Sequence, residues 1–308
     1  MNSANTNKDN IKNSLSGVFA PIVTPFVNEK ISYLKLKKNI QMYNNTELKG
    51  YMPLGSNGEY LGLTEVESLK VLNTVVDNKA ADKKLIVGAG RESAKVTIQF
   101  IKKVSKIGAD FACVIPPHYY ARKMNDEALI YYYSAVAEQS LIPIIIYNAP
   151  GYAAEVLISQ KAISLLSQHL NIVAMKNSSN LDTKTYANSI PSKSDFYFIG
   201  GNIKNFYEGL KAGAVGGVLS MACYLPKLCC ELYKLYRTGN DKRAKEMHEY
   251  LCDLSDRVVG KYGVAGVKAA MDIIGFYGGV PRNPLIPLNN EEKLKLKENL
   301  ERSIDAII

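Results

Sequence analysis

Asn171-Ile-Val-Ala-Met-Lys176-Asn-Ser-Ser179 is a short apolar run that ends on a single lysine. Ile172 to Met175 are β-branched or apolar and are bounded by polar residues, the pattern of a buried strand. A lysine at the carboxyl end of such a strand stands at the rim of a sheet or the mouth of a barrel, with its stem packed and its amine facing a pocket. Burial disfavours the charged form of an amine, and a neutral amine attacks ketones to form a Schiff base. A solvated lysine closing a strand is the plainer reading of the same residues. The runs around it decide between the two.

Working outward, the preceding run of this kind is Pro143-Ile-Ile-Ile-Tyr147, and before it Asp110-Phe-Ala-Cys-Val-Ile115, stopped by Pro116-Pro117. Leu85-Ile-Val-Gly88, Gly50-Tyr-Met-Pro-Leu54 and Val18-Phe-Ala-Pro-Ile-Val23 come earlier. Phe196-Tyr-Phe-Ile199 and Gly216-Gly-Val-Leu-Ser220 come later. Helical spacing fills the intervals: Val66, Leu69, Leu72, Val75 and Val76 follow a capping box at Thr64 and Glu67. Further helices are predicted to start at Ser93 and near Asn125. Eight apolar runs alternating with helices at roughly thirty-residue spacing predict an α/β fold, a (β/α)8 TIM barrel. A doubly wound open sheet is the competing architecture, but no glycine-rich dinucleotide fingerprint follows the first run. Residues 1–16 are polar and read as a disordered tail, 17–225 as the barrel, and 226–308 as a C-terminal helical extension packed on it.

The 308 residues are 47% hydrophobic and 22% charged, with a formal net charge of +9. The lysines are spread over helix-like segments and form no long basic run, so no nucleic-acid partner is expected. No apolar run approaches a membrane span, and the amino terminus lacks the apolar core of a signal peptide. The five cysteines are odd in number and lack metal-site spacing, and the three histidines are dispersed. Reduced structural thiols, no metal, and a cytoplasmic location are expected.

In a (β/α)8 barrel the active site lies at the carboxyl ends of the strands. The second run ends in Gly55-Ser56-Asn57-Gly58-Glu59, where small residues and clustered backbone N–H groups ahead of a helix suit a carboxylate or phosphate. The fourth is followed by His118-Tyr119-Tyr120, and the fifth ends on Tyr147. A phenol is a poor base at its ordinary pKa of about 10, yet it can shuttle a proton along a chain of hydroxyls such as Ser56.

Taken together, Gly55-Ser-Asn-Gly-Glu59, Pro117-His-Tyr119-Tyr120, Tyr147-Asn-Ala-Pro150, Met175-Lys176 and Gly216-Gly-Val-Leu-Ser220 resemble, in order and interval, the dihydrodipicolinate synthase / N-acetylneuraminate lyase superfamily of Schiff-base class I aldolases. The resemblance runs from about Gly17 to Leu288. It implies that Lys176 forms the imine with pyruvate or another 2-oxo acid and that Tyr147 is the general acid/base. It further implies that Ser56 links Tyr147 to a second tyrosine, Tyr119, which in the family reaches in from a neighbouring subunit. On the same resemblance Asn57 is expected to join Ser56 in holding the 2-oxo acid carboxylate, and Gly201 and Leu219 match positions that line the pyruvate end of the pocket. No organic cofactor or metal is implied. The implied partners are a 2-oxo acid and an aldehyde, and the implied assembly is a homotetramer or dimer.

Departures from the family pattern bear on the substrate. Dihydrodipicolinate synthases carry an arginine shortly after Tyr-Asn-x-Pro, where this chain has Tyr152, and a phenol does not replace a bidentate guanidinium. Arg122 or Lys123 could supply a charge from elsewhere. N-acetylneuraminate lyases place acids after the seventh strand, where this chain reads Gly200-Gly-Asn-Ile-Lys204. The glycine-rich turn, Tyr119-Tyr120-Ala-Arg122-Lys-Met124 and Lys261 to Asp272 look more like the 4-hydroxy-2-oxoglutarate aldolase branch. The alternatives are 4-hydroxy-tetrahydrodipicolinate synthase, N-acetylneuraminate lyase, a 2-keto-3-deoxy sugar-acid aldolase, and a non-catalytic 2-oxo acid binding protein.

Overall fold

The computed structural model describes residues 10–192 and 194–305. All eight runs are strands: Gly17–Ala20, Gly50–Tyr51, Lys84–Gly88, Phe111–Val114, Ile144–Asn148, Ile172–Asn177, Tyr197–Gly200 and Gly216–Val218. They are hydrogen-bonded in sequence order as a closed parallel barrel. The expected fold class is therefore the observed one. Parallel strands flanked by helices are buried on both faces and read as unbroken apolar runs, and Ile144–Asn148 and Ile172–Asn177 are buried at every position.

The chain divides into two compact units. One combines the segment ending at Gly17 with Lys84–Val218. It holds the third to eighth strands in successive parallel register, for example Cys113 opposite Ile145 and Tyr147 opposite Lys176. Its helices Ala94–Ile107 and Asp126–Gln139 start where the sequence placed them, with Ser93 accepting the Val96 N–H and Asn125 that of Ala128. Gly216 is required by close approach, since a Cβ there would lie 2.2 Å from the Gly17 carbonyl oxygen.

The other unit combines Val18–Lys83 with the chain from Leu219 onward. Phe19 pairs with Gly50 and Ala20 with Tyr51. Helix Glu65–Asn78 carries the expected capping box, with both arms of the Thr64–Glu67 exchange formed. A hairpin of Phe26–Val27 and Lys30–Ile31, turning through Asn28 and Glu29 at positive φ, was not read from the sequence. Among the described residues no helix is long and apolar enough to cross a membrane.

Two expected boundaries shift. The tail was placed at residues 1–16. Residues 1–9 lie outside the described part, but 10–15 form a helical turn whose last residue, Leu15, is fully buried. The apolar Ile11 and Leu15, four apart, share the face that such a turn can bury. The extension was placed from 226. Helix Pro226–Arg237 instead follows the eighth strand as its partner in the βα alternation, which leaves Asp241–Ser255, Lys261–Ile274 and Asn290–Asp305 as the added helices.

Arg282 ties the loop after the last long helix to the second βα unit. Its Nη2 is 2.9 Å and its Nη1 3.0 Å from the Glu67 carboxylate, and Nη1 also donates to the Gly62 carbonyl at 2.7 Å. The guanidinium hydrogen bond is the main cause that holds the Glu67 pKa down at about 2, against partial burial that opposes it. A depressed carboxylate pKa contributes stability above the unfolded value of about 4.3, and that contribution is lost as pH falls through the folded value. Glu67→Gln should accordingly be less stable than the parent at pH 7, and urea midpoints should show the gap closing between about pH 4 and pH 2.

Candidate active site

Strand period two puts Tyr147 and Lys176, which are register partners, on one face of the sheet and Asn148 and Asn177, also partners, on the other. Lys176 is only 4% exposed, and its Nζ lies 3.7 Å from the centroid of the Tyr147 ring. Among the described residues Lys176 makes no ion pair. An amine at a strand end, packed on a phenol instead of a carboxylate, keeps its nitrogen open to an incoming carbonyl. The neighbouring strand contributes Cys113. Burial pushes its thiol up to about 12 and the positive field of Lys176 opposes the rise, so it stays a neutral apolar wall.

Behind this face the two asparagines close a buried polar network. The Asn148 amide donates to the Tyr186 hydroxyl at 2.9 Å, and that hydroxyl donates to the Ile158 carbonyl at 2.8 Å. Asn148 Oδ1 accepts the Ile158 N–H at 3.2 Å. Asn177 Oδ1 accepts the Ser179 hydroxyl at 2.8 Å, and its amide donates to Leu181 at 2.7 Å. A satisfied buried network rigidifies what it joins. Here it fixes the segments that leave both strands, and with them the residues one position earlier, Tyr147 and Lys176.

Gly201 donates its N–H to the Asn177 carbonyl at 2.7 Å. A Cβ at this position would lie 1.9 Å from Ser178 Oγ and 2.7 Å from the Asn177 oxygen, so glycine is the residue that fits. Tyr152 sits on the turn Pro150–Tyr152 and is about half-exposed. Desolvation raises its phenol pKa, and the nearby Tyr147 adds to the rise. Tyr119, unlike the buried Lys176 and Tyr147, lies on the surface. It is 79% exposed and packs edge-on against Tyr120, with ring centroids 5.0 Å apart. Its backbone N–H and that of His118 both donate to the Glu92 carboxylate, so Glu92 sets the course of this loop. Nothing in the local sequence marks Glu92 for that role.

In the other unit, Ser56–Gly58 is a single 3-10 turn closed by Glu59 at φ 54°. Thr24 donates its hydroxyl to the Gly58 carbonyl at 2.8 Å. Asn57 is buried, its amide 3.7 Å from Cys223 Sγ and its oxygen 3.5 Å from Ser220 Oγ, both on the segment after the eighth strand. Leu219 on that segment is fully buried, and its N–H donates to Phe19 at 3.1 Å. The structure thus brings Lys176 to Tyr147, Gly201 to the backbone of Asn177, and Asn57 to Ser220, the residue after Leu219. In the sequence Ser220 closes an apolar run and one of the shared motifs, with no role of its own assigned.

A family model described as the dihydrodipicolinate synthetase family matches residues 14–303. The chain is 31% identical to a probable mitochondrial 4-hydroxy-2-oxoglutarate aldolase of Emericella nidulans, over 94% of this chain and 95% of that one. It is 30% identical to a 4-hydroxy-tetrahydrodipicolinate synthase of Methanothrix thermoacetophila, over 94% and 97%. The crystal structure of a dihydrodipicolinate synthase from Thermotoga maritima superposes with a TM-score of 0.88 at 26% identity, covering 94% of this chain and 99% of the other.

Proposed function

We infer the reaction from the premise that this chain belongs to the dihydrodipicolinate synthetase family and is a carbon–carbon lyase of the Schiff-base-forming class. The observation that carries the residue assignment is the contact of Lys176 Nζ with Tyr147. In the proposed mechanism the Lys176 amine adds to the ketone carbon of a 2-oxo acid, pyruvate in the synthetic direction, and loses water to give a protonated imine. In the cleavage direction the Tyr147 oxygen takes the proton of the 4-hydroxyl as its own proton passes along the hydroxyl relay through Ser56. The C3–C4 bond breaks, its electron pair passes into the imine as an enamine, and an aldehyde departs. Protonation at C3 and hydrolysis release pyruvate and the free lysine. The roles of Ser56 and Tyr119 in proton relay, and of Asn57, Gly201 and Leu219 around the oxo acid, rest on their places in the shared motifs.

The finer reading is cleavage of 4-hydroxy-2-oxoglutarate into pyruvate and glyoxylate. Tyr152 supports it, since no guanidinium stands at that position to take the carboxylate of aspartate semialdehyde. A second reading, the synthase that condenses pyruvate with aspartate semialdehyde, is favoured by the names of the similar chains, among which synthases are the more frequent. Pyruvate consumption with glyoxylate, aspartate semialdehyde and sugar aldehydes in parallel tests the choice. Glyoxylate giving the highest kcat/KM is the expected result. Aspartate semialdehyde leading by tenfold or more would replace the first reading with the second.

A further inference from the structure

Glu59 and Lys268 form an ion pair that the mechanism above does not use. The Lys268 side chain is wholly inaccessible and that of Glu59 is 4% exposed, with Nζ and Oε1 2.5 Å apart. The ammonium also donates to two backbone acceptors, the Thr24 carbonyl at 2.9 Å and the Val280 carbonyl at 3.1 Å. The Phe26 ring lies 4.4 Å from Nζ. Glu59 Oε2 accepts the Arg282 N–H at 2.8 Å. Gly278 packs directly on the Lys268 backbone, where a Cβ would lie 2.0 Å from the Lys268 carbonyl oxygen.

A buried ion pair is a poor source of stability, because desolvating two charges offsets most of their attraction. What it supplies is a fixed position, since a misplaced charge in such a site is costly. Glu59 is the residue at which the Ser56–Gly58 turn leaves the barrel rim, and its own backbone is left-handed, at φ 54°. That backbone form disfavours any side chain with a Cβ, so something must hold it. Thr24 grips both sides of the junction, donating its hydroxyl to the Gly58 carbonyl while its own carbonyl accepts from Lys268. Lys268 in turn stands on a helix that restarts after Gly263, whose φ of 56° and ψ of −138° only glycine adopts readily.

We propose that Glu59 and Lys268 are positioning residues, a buried clamp through which the C-terminal extension holds the Ser56–Asn57–Gly58 turn in the form that receives the carboxylate of the 2-oxo acid. The proposal rests on the reading of that turn given above. Substrate affinity should then depend on the clamp, while the chemistry at Lys176 should not.

Removing one partner alone would leave a buried charge unpaired and endanger folding, so the informative variant is the neutral double, Glu59→Gln with Lys268→Met. Folding is checked by circular dichroism and thermal melting. The readouts are the pyruvate concentration that half-saturates borohydride trapping, and KM and kcat for cleavage. The folded double variant should need about tenfold more pyruvate, with KM raised alike and kcat within about twofold of the parent. Thr24→Val keeps the ion pair and removes the hydroxyl held to Gly58. It should move half-saturation in the same direction, by about threefold. A folded double variant with unchanged half-saturation, or with reduced kcat and unchanged KM, would overturn the clamp. Should the double variant not fold, an unchanged Thr24→Val would overturn it equally. Absence of any pyruvate adduct in the parent protein would instead remove the 2-oxo acid reading itself.

Discussion

Lys176→Met abolishes imine formation and lowers turnover by about a thousandfold or more, the scale of losing a covalent nucleophile. Methionine keeps a straight apolar stem of similar length, so the packing around a residue that is 4% exposed is largely retained. The loss is therefore chemical and not structural. Borohydride in the presence of pyruvate should leave the variant's mass unchanged, and its melting temperature should stay close to that of the parent. A protein that only bound 2-oxo acids would form no adduct in the parent and would bind parent and variant with equal affinity, which calorimetric titration would detect. Those two results together would place the chain outside imine chemistry.

Tyr147→Phe separates the two halves of the site. The ring that covers Lys176 Nζ at 3.7 Å remains, so the amine keeps its environment and the strand keeps its packing. What disappears is the hydroxyl assigned to proton transfer, and loss of a general acid/base costs about 10^2 to 10^4 in rate. Cleavage should fall by that factor, while a pyruvate adduct still accumulates at Lys176, more slowly, under borohydride. If the variant turned over at the parent rate, the proton would have to be carried by another group. If the adduct were lost altogether, Tyr147 would act on the lysine itself.

The features legible in the sequence are those in which local pattern and tertiary burial agree. Ile144–Asn148 and Ile172–Asn177 are buried on both faces, so their apolar runs could be read without knowing what covers them. Thr64, Ser93 and Asn125 cap their helices through contacts three residues away, which a sequence shows directly. Strand ends were read less well. Val18 to Val23 is apolar throughout, yet the first strand stops at Ala20, because burial continues past the last ladder hydrogen bond. The short hairpin through Asn28 and Glu29 was missed although asparagine tolerates positive φ, since only two residues pair on either side.

The candidate site divides in the same way. Tyr147 and Lys176 stand one residue before the ends of adjacent strands, so the apolar runs show both at one rim, while the contact of Nζ with the ring is seen only in the fold. The clamp between Glu59 and Lys268 was not legible. Each looks like an ordinary surface charge in its own segment, and only the fold brings them together in a buried space. Glu92, which orders the backbone at His118 and Tyr119, escaped for the same reason. Arg282 is a third instance, a lone cation in sequence that the fold sets against Glu67 and the carbonyls of Gly62 and Glu29.

The central claim is that Lys176 is the lysine that forms the imine. Incubation with pyruvate, reduction with borohydride, and mass spectrometry of the intact protein followed by a peptide map test it directly. A single reduced pyruvyl adduct on the peptide containing Met175-Lys176-Asn177 is the predicted result. An adduct on another lysine, or none on protein shown to be folded, would contradict it.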